Sequence, residues 1–395
     1  MKELSPTWFA ETFQFLTEYL PPDKPQPNLL EKFSNTGIIE PKEGVMLAGS
    51  RAALAAVTDP EAAFTTRGAV KIGNQRPHIP QQTDPPDHAK YRKLLDQLFS
   101  PKRMNSVESE IFTRANTLID AFIDRGECNF TDEFAEPFPG MVFLDLLGLP
   151  QADRPQLQQM ADAIFHPGEG ITTDVAEITR IQNAGGQQIY DYFGAAIEER
   201  RKSPREDMLT GFIGSEIDGR RLTTEEILDI CFTLVIGGLD TVKATLTQCM
   251  AFLGQNPSHR QRLVDEPGVI PQAIEELLRW ETPAAVSFRR STKDQEVLGC
   301  PMREGQLVVL SFGGANVDPE AFPDGMTVDF DRKPNRHLAF GSGIHRCLGS
   351  HLARRELNVA LQEWHRRIPE WSLKTGTNLT SSMPIRTIAN LELVW

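Results

Sequence analysis

The most informative stretch of the sequence is Phe340-Gly341-Ser342-Gly343-Ile344-His345-Arg346-Cys347-Leu348-Gly349. Glycine adopts positive φ angles at little cost and lets the backbone approach a flat group closely. Residues 348–357 have a helical pattern, so Cys347 is expected at or near the N-terminus of a helix. Backbone amides and the helix dipole favour a cysteine thiolate there. Such a thiolate is a suitable iron ligand, whereas the simpler interpretation of an isolated cysteine is a structural thiol in a turn.

A second informative stretch is the longest predicted helix, which begins at Thr223 and runs to about Gln255. Thr223 and Glu226 form a capping-box pattern at its start. At 1.5 Å per residue the helix would be roughly 48 Å long, enough to cross the whole domain. Its middle, residues 232–238, is almost wholly apolar and is therefore expected to be buried.

The same helix contains Gly237-Gly238 followed by Asp240-Thr241. Each glycine inside a helix costs about 1 kcal/mol relative to alanine, and a buried aspartate needs a partner or water. A sequence selected for stability alone would avoid this combination. Its presence inside a core element therefore indicates a functional position.

The remainder of the sequence predicts one globular domain spanning residues 1–395, mainly α-helical with a minor β component. Hydrophobic residues make up 40% of the chain and charged residues 24%, which is typical of a globular protein. Residues 106–125 place apolar side chains at spacings of three and four, the pattern of an amphipathic helix. Short strands are predicted at 296–298, 307–310 and 391–395.

Charge and cysteine content limit the partners and the compartment. The formal net charge of −13 argues against nonspecific binding to nucleic acid or to anionic membranes. The five cysteines are an odd number and include no Cys-x-x-Cys pair, which is typical of free thiols in a reducing compartment. No signal-peptide pattern and no run of about 20 apolar residues is present, so the sequence predicts a cytoplasmic protein without a membrane span.

The spacing Phe-x-x-Gly-x-x-x-Cys-x-Gly, met in full by Phe340, Gly343, Cys347 and Gly349, resembles the haem-binding signature of the cytochrome P450 family. Further segments resemble bacterial class I members of the camphor 5-monooxygenase type, namely 84–86, 128–131, 135–139, 237–242 and 393–395. The resemblance implies a large helical domain with small β-sheets and a buried haem b (iron-protoporphyrin IX). It also implies that Cys347 is the iron ligand and that Phe340, Gly341 and Gly349 surround the haem.

The resemblance implies ligands for the haem propionates as well. Buried propionates are anionic and need cations or hydrogen-bond donors. The matching positions are His88, Arg92, Arg289 and His345. Arg289 is favoured over Arg290 because the residues after it fit the family pattern Arg-x-Ala-Thr-x-Asp better. The alternative for each position is a solvated surface cation.

Glu276 and Arg279 match the Glu-x-x-Arg motif of the family, whose side chains share one helix face. Many members complete this pair with an arginine at the position that Asp329 occupies here. The identity of a third partner is therefore open. On its own, the pair could equally be a solvated salt bridge.

The resemblance implies a monooxygenase that inserts one oxygen atom of O2 into an unactivated C–H bond. Asp240 and Thr241 are then the expected proton relay, with Thr241 donating a hydrogen bond to the activated oxygen and Asp240 controlling the proton supply through water. The glycines at 237–238 would let the helix open locally where oxygen binds. A threonine that bonds back to the carbonyl one turn earlier is the alternative interpretation.

Two other functions on the same fold stay open. A peroxide-dependent peroxygenase would carry an arginine–proline pair in place of Asp240-Thr241, and a haem protein that only binds gas would not need the acid–alcohol pair. For the monooxygenase, electrons would come from a 2Fe-2S ferredoxin with a separate flavin reductase. Arg92, Lys333 and Arg346 would form its cationic docking patch, although scattered surface charge is an equally simple interpretation.

Seven positions correspond to the substrate pocket of the family: Arg76, His78, Thr233, Ile236, Gly237, Val286 and Ile385. The camphor enzyme has a tyrosine donor at the position of Arg76, so camphor itself is not expected. The prediction is a small hydrophobic substrate, terpenoid-like or aromatic. An inward-pointing Arg76 would favour a substrate with a carboxylate or another acceptor, and an Arg76 at the pocket mouth would be a surface residue.

Overall fold

The structure is a computed structural model that describes residues 11–12, 15–17, 25–33, 37–59, 61–382 and 385–395. It is mainly α-helical with small sheets, as the sequence predicts. The helices are α1 Pro25–Phe33, α2 Arg51–Thr58, α3 Asp87–Leu98, α4 Pro101–Ser106, α5 Glu108–Phe122, α6 Pro137–Leu147, α7 Arg154–Phe165, α8 Val175–Lys202, α9 Met208–Gly214, α10 Thr224–Gly238, α11 Asp240–Gln255, α12 Pro257–Asp265, α13 Ile270–Glu281, α14 Phe312–Val317 and α15 Ser350–Arg367. The strands are β1 Ile38–Lys42, β2 Val45–Ala48, β3 Phe64–Thr65, β4 Glu127–Asn129, β5 Glu216–Ile217, β6 Arg220–Arg221, β7 Val286–Ser291, β8 Gln295–Val297, β9 Cys300–Met302, β10 Leu307–Ser311, β11 Ser372–Leu373 and β12 Glu392–Val394. Within these described ranges, no helix is both long and apolar enough to span a lipid bilayer.

One amphipathic helix and three short strands that local patterns predict are present. The amphipathic segment predicted at 106–125 forms α5, which buries Ile111, Ile119 and Phe122 on one face. The three predicted strands are β8, β10 and β12, and their bounds lie within one residue of those predicted. Periodicity and apolar runs were therefore sufficient to find these elements.

The largest sheet has five strands in the order β1-β2-β10-β7-β3. Strand β10 lies at its centre, parallel to β2 and antiparallel to β7, and all five of its residues are buried. Burial on both faces explains why this strand is an unbroken apolar run and not an alternating one. A second sheet joins β11, β12 and β4, which brings residues 392–394 beside 127–129.

The segment predicted as one helix from Thr223 to Gln255 consists of two helices, α10 and α11, with Leu239 between them. The predicted capping box is present at the start of α10, where Thr223 and Glu226 bond reciprocally at 3.2 and 2.7 Å. The prediction of a continuous helix was wrong. Glycine is a poor helix former, and the pair at 237–238 lies directly before the interruption, so α10 ends where its intrinsic stability is lowest.

Two large hydrophobic clusters hold the two halves of this segment. The first contains Phe232, Ile236 and Leu239 together with side chains of α7 and α8. The second contains Val242 and Leu246 together with side chains of α5, α13 and α15. The interruption therefore lies where the chain passes from one part of the core to the other.

Candidate functional site

The cysteine loop, residues 340–349, leads into α15. A backbone hydrogen bond from Cys347 N to Phe340 O at 2.8 Å closes the loop. Gly341 and Gly343 have φ angles of +69° and +65°, a region in which residues other than glycine are strained. The loop therefore needs glycine at both positions to present Cys347 in this way.

The side chain of Cys347 is exposed, although protein atoms surround it closely enough for burial to raise the pKa of the thiol. The backbone N–H of Gly349 and the positive charges of Arg346 and Arg92 oppose this effect. Helix α15 begins at Ser350, so Cys347 precedes the helix by three residues and is not in its first turn. The dipole acts mainly within that first turn, so it favours the thiolate less than the sequence suggests. A coordinated metal ion would remove the proton outright.

Four side chains that can carry positive charge lie together near this loop. The rings of His88 and His345 have centroids 4.3 Å apart, and Arg92 donates to the Arg346 carbonyl at 2.7 Å. Burial lowers the pKa of His88, and burial together with the charge of Arg289 lowers the pKa of His345 to about 3. Burial lowers the pKa of Arg289 to about 10. We call His88, Arg92, Arg289 and His345 the cationic cluster.

The cationic cluster fits a ligand with two negative charges. Arg289 is 8% exposed, its donors reach Ser287 Oγ and Phe288 O, and no carboxylate forms an ion pair with it in the described part of the chain. Asp84 acts on Arg289 only at longer range. His88 Nε2 is buried without a hydrogen-bond partner. Because buried cations without a counter-ion are strongly unfavourable, this donor set together with an exposed thiol matches a porphyrin with two propionates and a thiolate-ligated iron.

Asp240 is fully buried and is held by three side chains. His166 Nε2 lies 3.4 Å from Oδ2, while Lys243 Nζ and Gln158 Nε2 lie 3.4 and 3.5 Å from Oδ1. Burial raises the pKa of Asp240, but His166 and Lys243 outweigh burial and bring the pKa below its ordinary value. Asp240 is therefore a carboxylate at neutral pH, as expected for a buried acid with cationic partners.

Thr241 Oγ1 donates a hydrogen bond to the carbonyl of Gly237 at 2.8 Å. This is the back-bonded arrangement that the sequence left open as the alternative interpretation, and not the predicted donation toward oxygen. It has a physical reason, because the last carbonyls of a helix lack intrahelical partners and the hydroxyl satisfies one of them. The hydroxyl proton is thereby used, and Thr241 offers its lone pairs as an acceptor. A Cβ on Gly237 would meet nothing within 4 Å, so open space lies beside the helix here.

Five of the positions predicted for the substrate pocket lie in the last turns of α10, at the start of β7 or next to that start, namely Thr233, Ile236, Gly237, Val286 and Ile385. A bridge between Ala284 and Ile385 places Ile385 next to the start of β7. Thr233 Oγ1 donates to the Asp229 carbonyl at 3.0 Å, so its hydroxyl proton is used within the helix. These positions therefore offer mainly apolar groups.

The other two predicted pocket positions, Arg76 and His78, are engaged with the protein. Arg76 forms an ion pair with Asp229 at 2.9 Å, and its guanidinium carbon lies 4.9 Å from the centroid of the Tyr190 ring. His78 is fully buried, and its Nε2 lies 2.8 Å from Gln81 Oε1. The charge of Arg76 is therefore matched by a carboxylate of the protein itself.

Glu276 and Arg279 form a buried network rather than a solvated salt bridge. Arg279 Nε and Nη2 donate to the two oxygens of Glu276 at 2.9 and 2.8 Å. Arg332 Nε reaches the same oxygens at 3.1 and 3.2 Å, and Asn335 Nδ2 donates at 3.0 Å. Asp329 contributes its backbone N–H at 2.9 Å. The third charged partner, which the sequence left open, is therefore Arg332.

Three contacts of the site did not follow from the sequence. They are His166 with Asp240, Asp229 with Arg76, and Arg332 with Glu276. Each joins residues that are far apart in the chain. Arg332 lies three residues after Asp329, the position at which many family members carry the third partner, whereas His166 and Asp229 stand in no recognisable motif.

Comparison with known proteins identifies the family of this chain. The family model for cytochrome P450 matches residues 45–367. The chain is 38% identical to the probable cytochrome P450 127A1 of Sinorhizobium fredii, over 83% of this chain and 77% of that protein. It is 32% identical to a steroid C26-monooxygenase of Mycobacterium tuberculosis, over 91% of this chain and 96% of that protein. A crystal structure of the myxobacterial cytochrome P450 CYP267B1 in complex with myristic acid has a TM-score of 0.86 at 30% identity, over 96% of this chain and 98% of that chain.

The matched region includes the cysteine loop, the cationic cluster and the interruption between α10 and α11. Members of this family bind haem b through a cysteine thiolate, and the thiolate favours cleavage of the O–O bond. The donor set described above fits that cofactor on independent, structural grounds. This chain therefore belongs to the cytochrome P450 family and is a haem-thiolate monooxygenase.

Proposed function

We propose that this cytochrome P450 inserts one oxygen atom of O2 into a small, predominantly hydrophobic substrate, with Cys347 as the iron ligand. The observation that carries the proposal is an exposed cysteine in a glycine-shaped loop near a buried Arg289 for which the described residues offer no carboxylate partner. When bound, haem supplies oxygen activation that no amino-acid side chain provides. His88, Arg92, Arg289 and His345 would hold its propionates.

Asp240 and Thr241 are the proposed proton path beside the open space at Gly237. The hydroxyl of Thr241 donates its own proton to the Gly237 carbonyl. Its lone pairs therefore accept a hydrogen bond from the group that is protonated in the pocket. Asp240 is a buried carboxylate that takes up a proton and passes it on toward Thr241. An acid–alcohol pair in place of an arginine–proline pair favours O2 over peroxide as the oxidant.

The substrate is proposed to be apolar because the polar groups near the predicted pocket are already bonded. Arg76 is paired with Asp229, and the Thr233 hydroxyl bonds within its own helix. A carboxylate-bearing substrate would need a cation that is not neutralised by the protein. A relative supports this class, since it is a steroid C26-monooxygenase.

A small 2Fe-2S ferredoxin with a separate flavin reductase is the proposed source of electrons. Lys333 and Arg346 are exposed on the segment that contains and precedes the cysteine loop. Arg92 is less available, because it pairs with Asp96 at 2.8 Å and bonds the Arg346 carbonyl. A cationic surface of this kind would steer an acidic partner toward the haem side that carries Cys347.

Spectral titration of the ferric, haem-loaded protein tests the substrate class. A terpenoid, a steroid, a fatty acid and an aromatic acid are each added while the low-spin to high-spin shift is recorded. We expect strong shifts with the terpenoid or steroid and weak shifts with the aromatic acid, because Arg76 has no unmatched charge. A strong response to the aromatic acid alone would contradict an apolar substrate.

Turnover of the ligand found in this way separates the three possible functions. We expect product with O2, a ferredoxin and its reductase, and little product with hydrogen peroxide alone. Product with peroxide only would identify a peroxygenase. Normal binding of carbon monoxide without product under either condition would identify a gas-binding protein.

The Thr241→Ala variant is expected to keep haem and substrate binding but to form about 100-fold less product per electron, at the low end of what a positioned proton-transfer group contributes. The lost electrons should appear as hydrogen peroxide. The matched control is Thr245→Ala. Thr245 lies one helical turn after Thr241, and its hydroxyl donates to the Thr241 carbonyl. This variant should couple electrons to product like the wild type. Unchanged coupling in Thr241→Ala would rule out the relay.

A further inference from the structure

His166 connects the buried carboxylate of Asp240 to the protein surface. Its Nε2 lies 3.4 Å from Asp240 Oδ2, and its Nδ1 lies 3.0 Å from Glu169 Oε2. The side chain of Asp240 is fully buried, that of His166 is 12% exposed and that of Glu169 is 61% exposed. These three groups, which we call the acid–base chain, run from solvent to the interior.

Oδ2 is the oxygen of Asp240 that is free to take a proton. It is buried, and no hydrogen bond of ordinary geometry reaches it from the described residues. The contact with His166 at 3.4 Å is an ion pair that is longer than a strong hydrogen bond. The other oxygen lies near Lys243 and Gln158. The imidazole is therefore the titratable group that faces the free acceptor.

Imidazole is also the side chain here whose chemistry suits proton transfer. Its two nitrogens let it take a proton on one side and release one on the other. The amide of Gln158 does not titrate. Burial lowers the pKa of Lys243, but the carboxylates of Asp240, Asp162 and Glu136 outweigh burial and raise it, so the ammonium keeps its proton.

The acid–base chain ends at the position that the proposed reaction uses. His166 follows the last residue of α7, where its backbone N–H bonds the Asp162 carbonyl at 2.7 Å. Asp240 is the first residue of α11 and directly precedes Thr241. A proton that reaches Asp240 Oδ2 from His166 has therefore arrived beside the interruption between α10 and α11.

We propose that His166 is the group through which protons pass from solvent to Asp240, with Glu169 as its surface partner. The inference rests on the proposed role of Asp240 as a proton carrier. In this step the Nε2–H bond of the imidazolium breaks and an O–H bond forms on Asp240 Oδ2, which leaves a neutral imidazole and a carboxylic acid. Rotation of the ring about its Cβ–Cγ bond turns the bare nitrogen toward Glu169, where solvent restores the proton. No electrons are transferred, and the total charge is conserved.

The surrounding charges keep the ring protonated at neutral pH. Burial lowers the pKa of His166, but Asp240 and Glu169 outweigh burial and raise it to about 9. The further charged groups around this pair are Lys243, Asp162, Glu136 and Asp132. Because the pKa lies above the ordinary value of 6.5, the pair stabilises the fold fully below that pH and loses this contribution as the pH rises through 9.

The His166→Gln variant tests the inference, because glutamine keeps a hydrogen-bond donor beside Asp240 but cannot pass a proton. We expect product formation at neutral pH to fall by about 10-fold and the solvent isotope effect in D2O to increase. The wild-type rate should decline as the pH rises through 9, and this decline should be absent in the variant. A purely structural role would move neither the isotope effect nor the pH profile.

His259→Gln is the matched control for the loss of a histidine. His259 is also partly buried, and its Nε2 lies 3.4 Å from the Val328 carbonyl, outside the acid–base chain. We expect wild-type rate, isotope effect and pH profile in this variant. An equal loss in His259→Gln and His166→Gln would overturn a specific role for His166.

Nuclear magnetic resonance titration of His166 in the full-length protein provides a readout that does not depend on turnover. We expect the imidazole of the wild type to titrate near pH 9. In Asp240→Asn its pKa should fall toward 6.5 or below, because burial is then opposed by Glu169 alone. A wild-type imidazole that already titrates near 6.5 would overturn the pairing.

Asp240→Asn also separates this inference from the proposed function. Poor coupling in Asp240→Asn, with a normal rate and isotope effect in His166→Gln, would overturn the role of His166 and leave that of Asp240. Normal coupling in Asp240→Asn would overturn the role of Asp240 and the inference with it. Impairment of both variants, with a changed isotope effect in His166→Gln, is the expected result.

Discussion

The Cys347→Ala variant is expected to lose the Soret band of the reduced carbon monoxide complex that characterises thiolate-ligated haem. The thiolate supplies the electron density that shifts this band and favours O–O cleavage. No described cysteine can replace it. Cys128, Cys231 and Cys249 are buried, burial raises the pKa of each of their thiols, and Cys300 is partly buried on β9.

Cys300→Ala is the control for the loss of a thiol, and it should keep the band because β9 lies outside the cysteine loop. Circular dichroism of both variants checks that the fold is retained. Retention of the band in a folded Cys347→Ala protein would reject Cys347 as the ligand. Loss of the band in both variants would point to a general effect on haem incorporation.

The Glu276→Ala variant is expected to lower the free energy of unfolding by about 3–5 kcal/mol, the usual cost of removing one partner of a buried ion pair. Arg279 is fully buried, and its remaining bonds go to backbone carbonyls of Asn316, Gly325 and Thr327, which do not neutralise its charge. Arg332 loses the same carboxylate. A loss of this size is a large part of the roughly 5–15 kcal/mol that stabilises a typical protein.

Urea unfolding of the haem-loaded protein measures this effect. The control is Lys374→Ala, which breaks the exposed pair between Lys374 and Glu127 at 2.7 Å and should cause no measurable change. The loss in free energy of unfolding in Arg332→Gln should lie between those of the other two variants, because Arg332 is 12% exposed and solvent can replace part of its contact with Glu276. A loss in Glu276→Ala no larger than in Lys374→Ala would mean that the network is not a principal support of the fold.

Features with local causes were predictable from the sequence. The capping box at Thr223 and Glu226, the amphipathic face of α5 and the apolar run of β10 each depend on residues a few positions apart. The glycines at 341 and 343 were predicted to take positive φ angles, and both do. Short-range sterics and periodicity act in the same way in any surrounding structure, which is why these predictions hold.

The interruption at Leu239 could not be predicted from local sequence patterns alone. The weakness of the segment was visible, since the glycines at 237–238 lower helix propensity by about 1 kcal/mol each. Whether that weakness becomes a break depends on packing. Here Leu239 packs in one hydrophobic cluster and Val242 in another, so the two halves are held separately and the weak point becomes the boundary.

The features of the site also divide into those that the sequence predicted and those that the tertiary structure alone decided. The residues and the family resemblance that they carry indicated a thiol ligand at Cys347, an acid–alcohol pair at Asp240 and Thr241, and cations for an anionic cofactor, because a motif depends on which residue types stand at which intervals. Which charges meet was decided by the tertiary structure. The pairs of His166 with Asp240, Asp229 with Arg76 and Arg332 with Glu276 exist because folding brings distant segments within 4 Å. Electrostatic partners act over a few ångströms in space, and chain separation does not encode that distance.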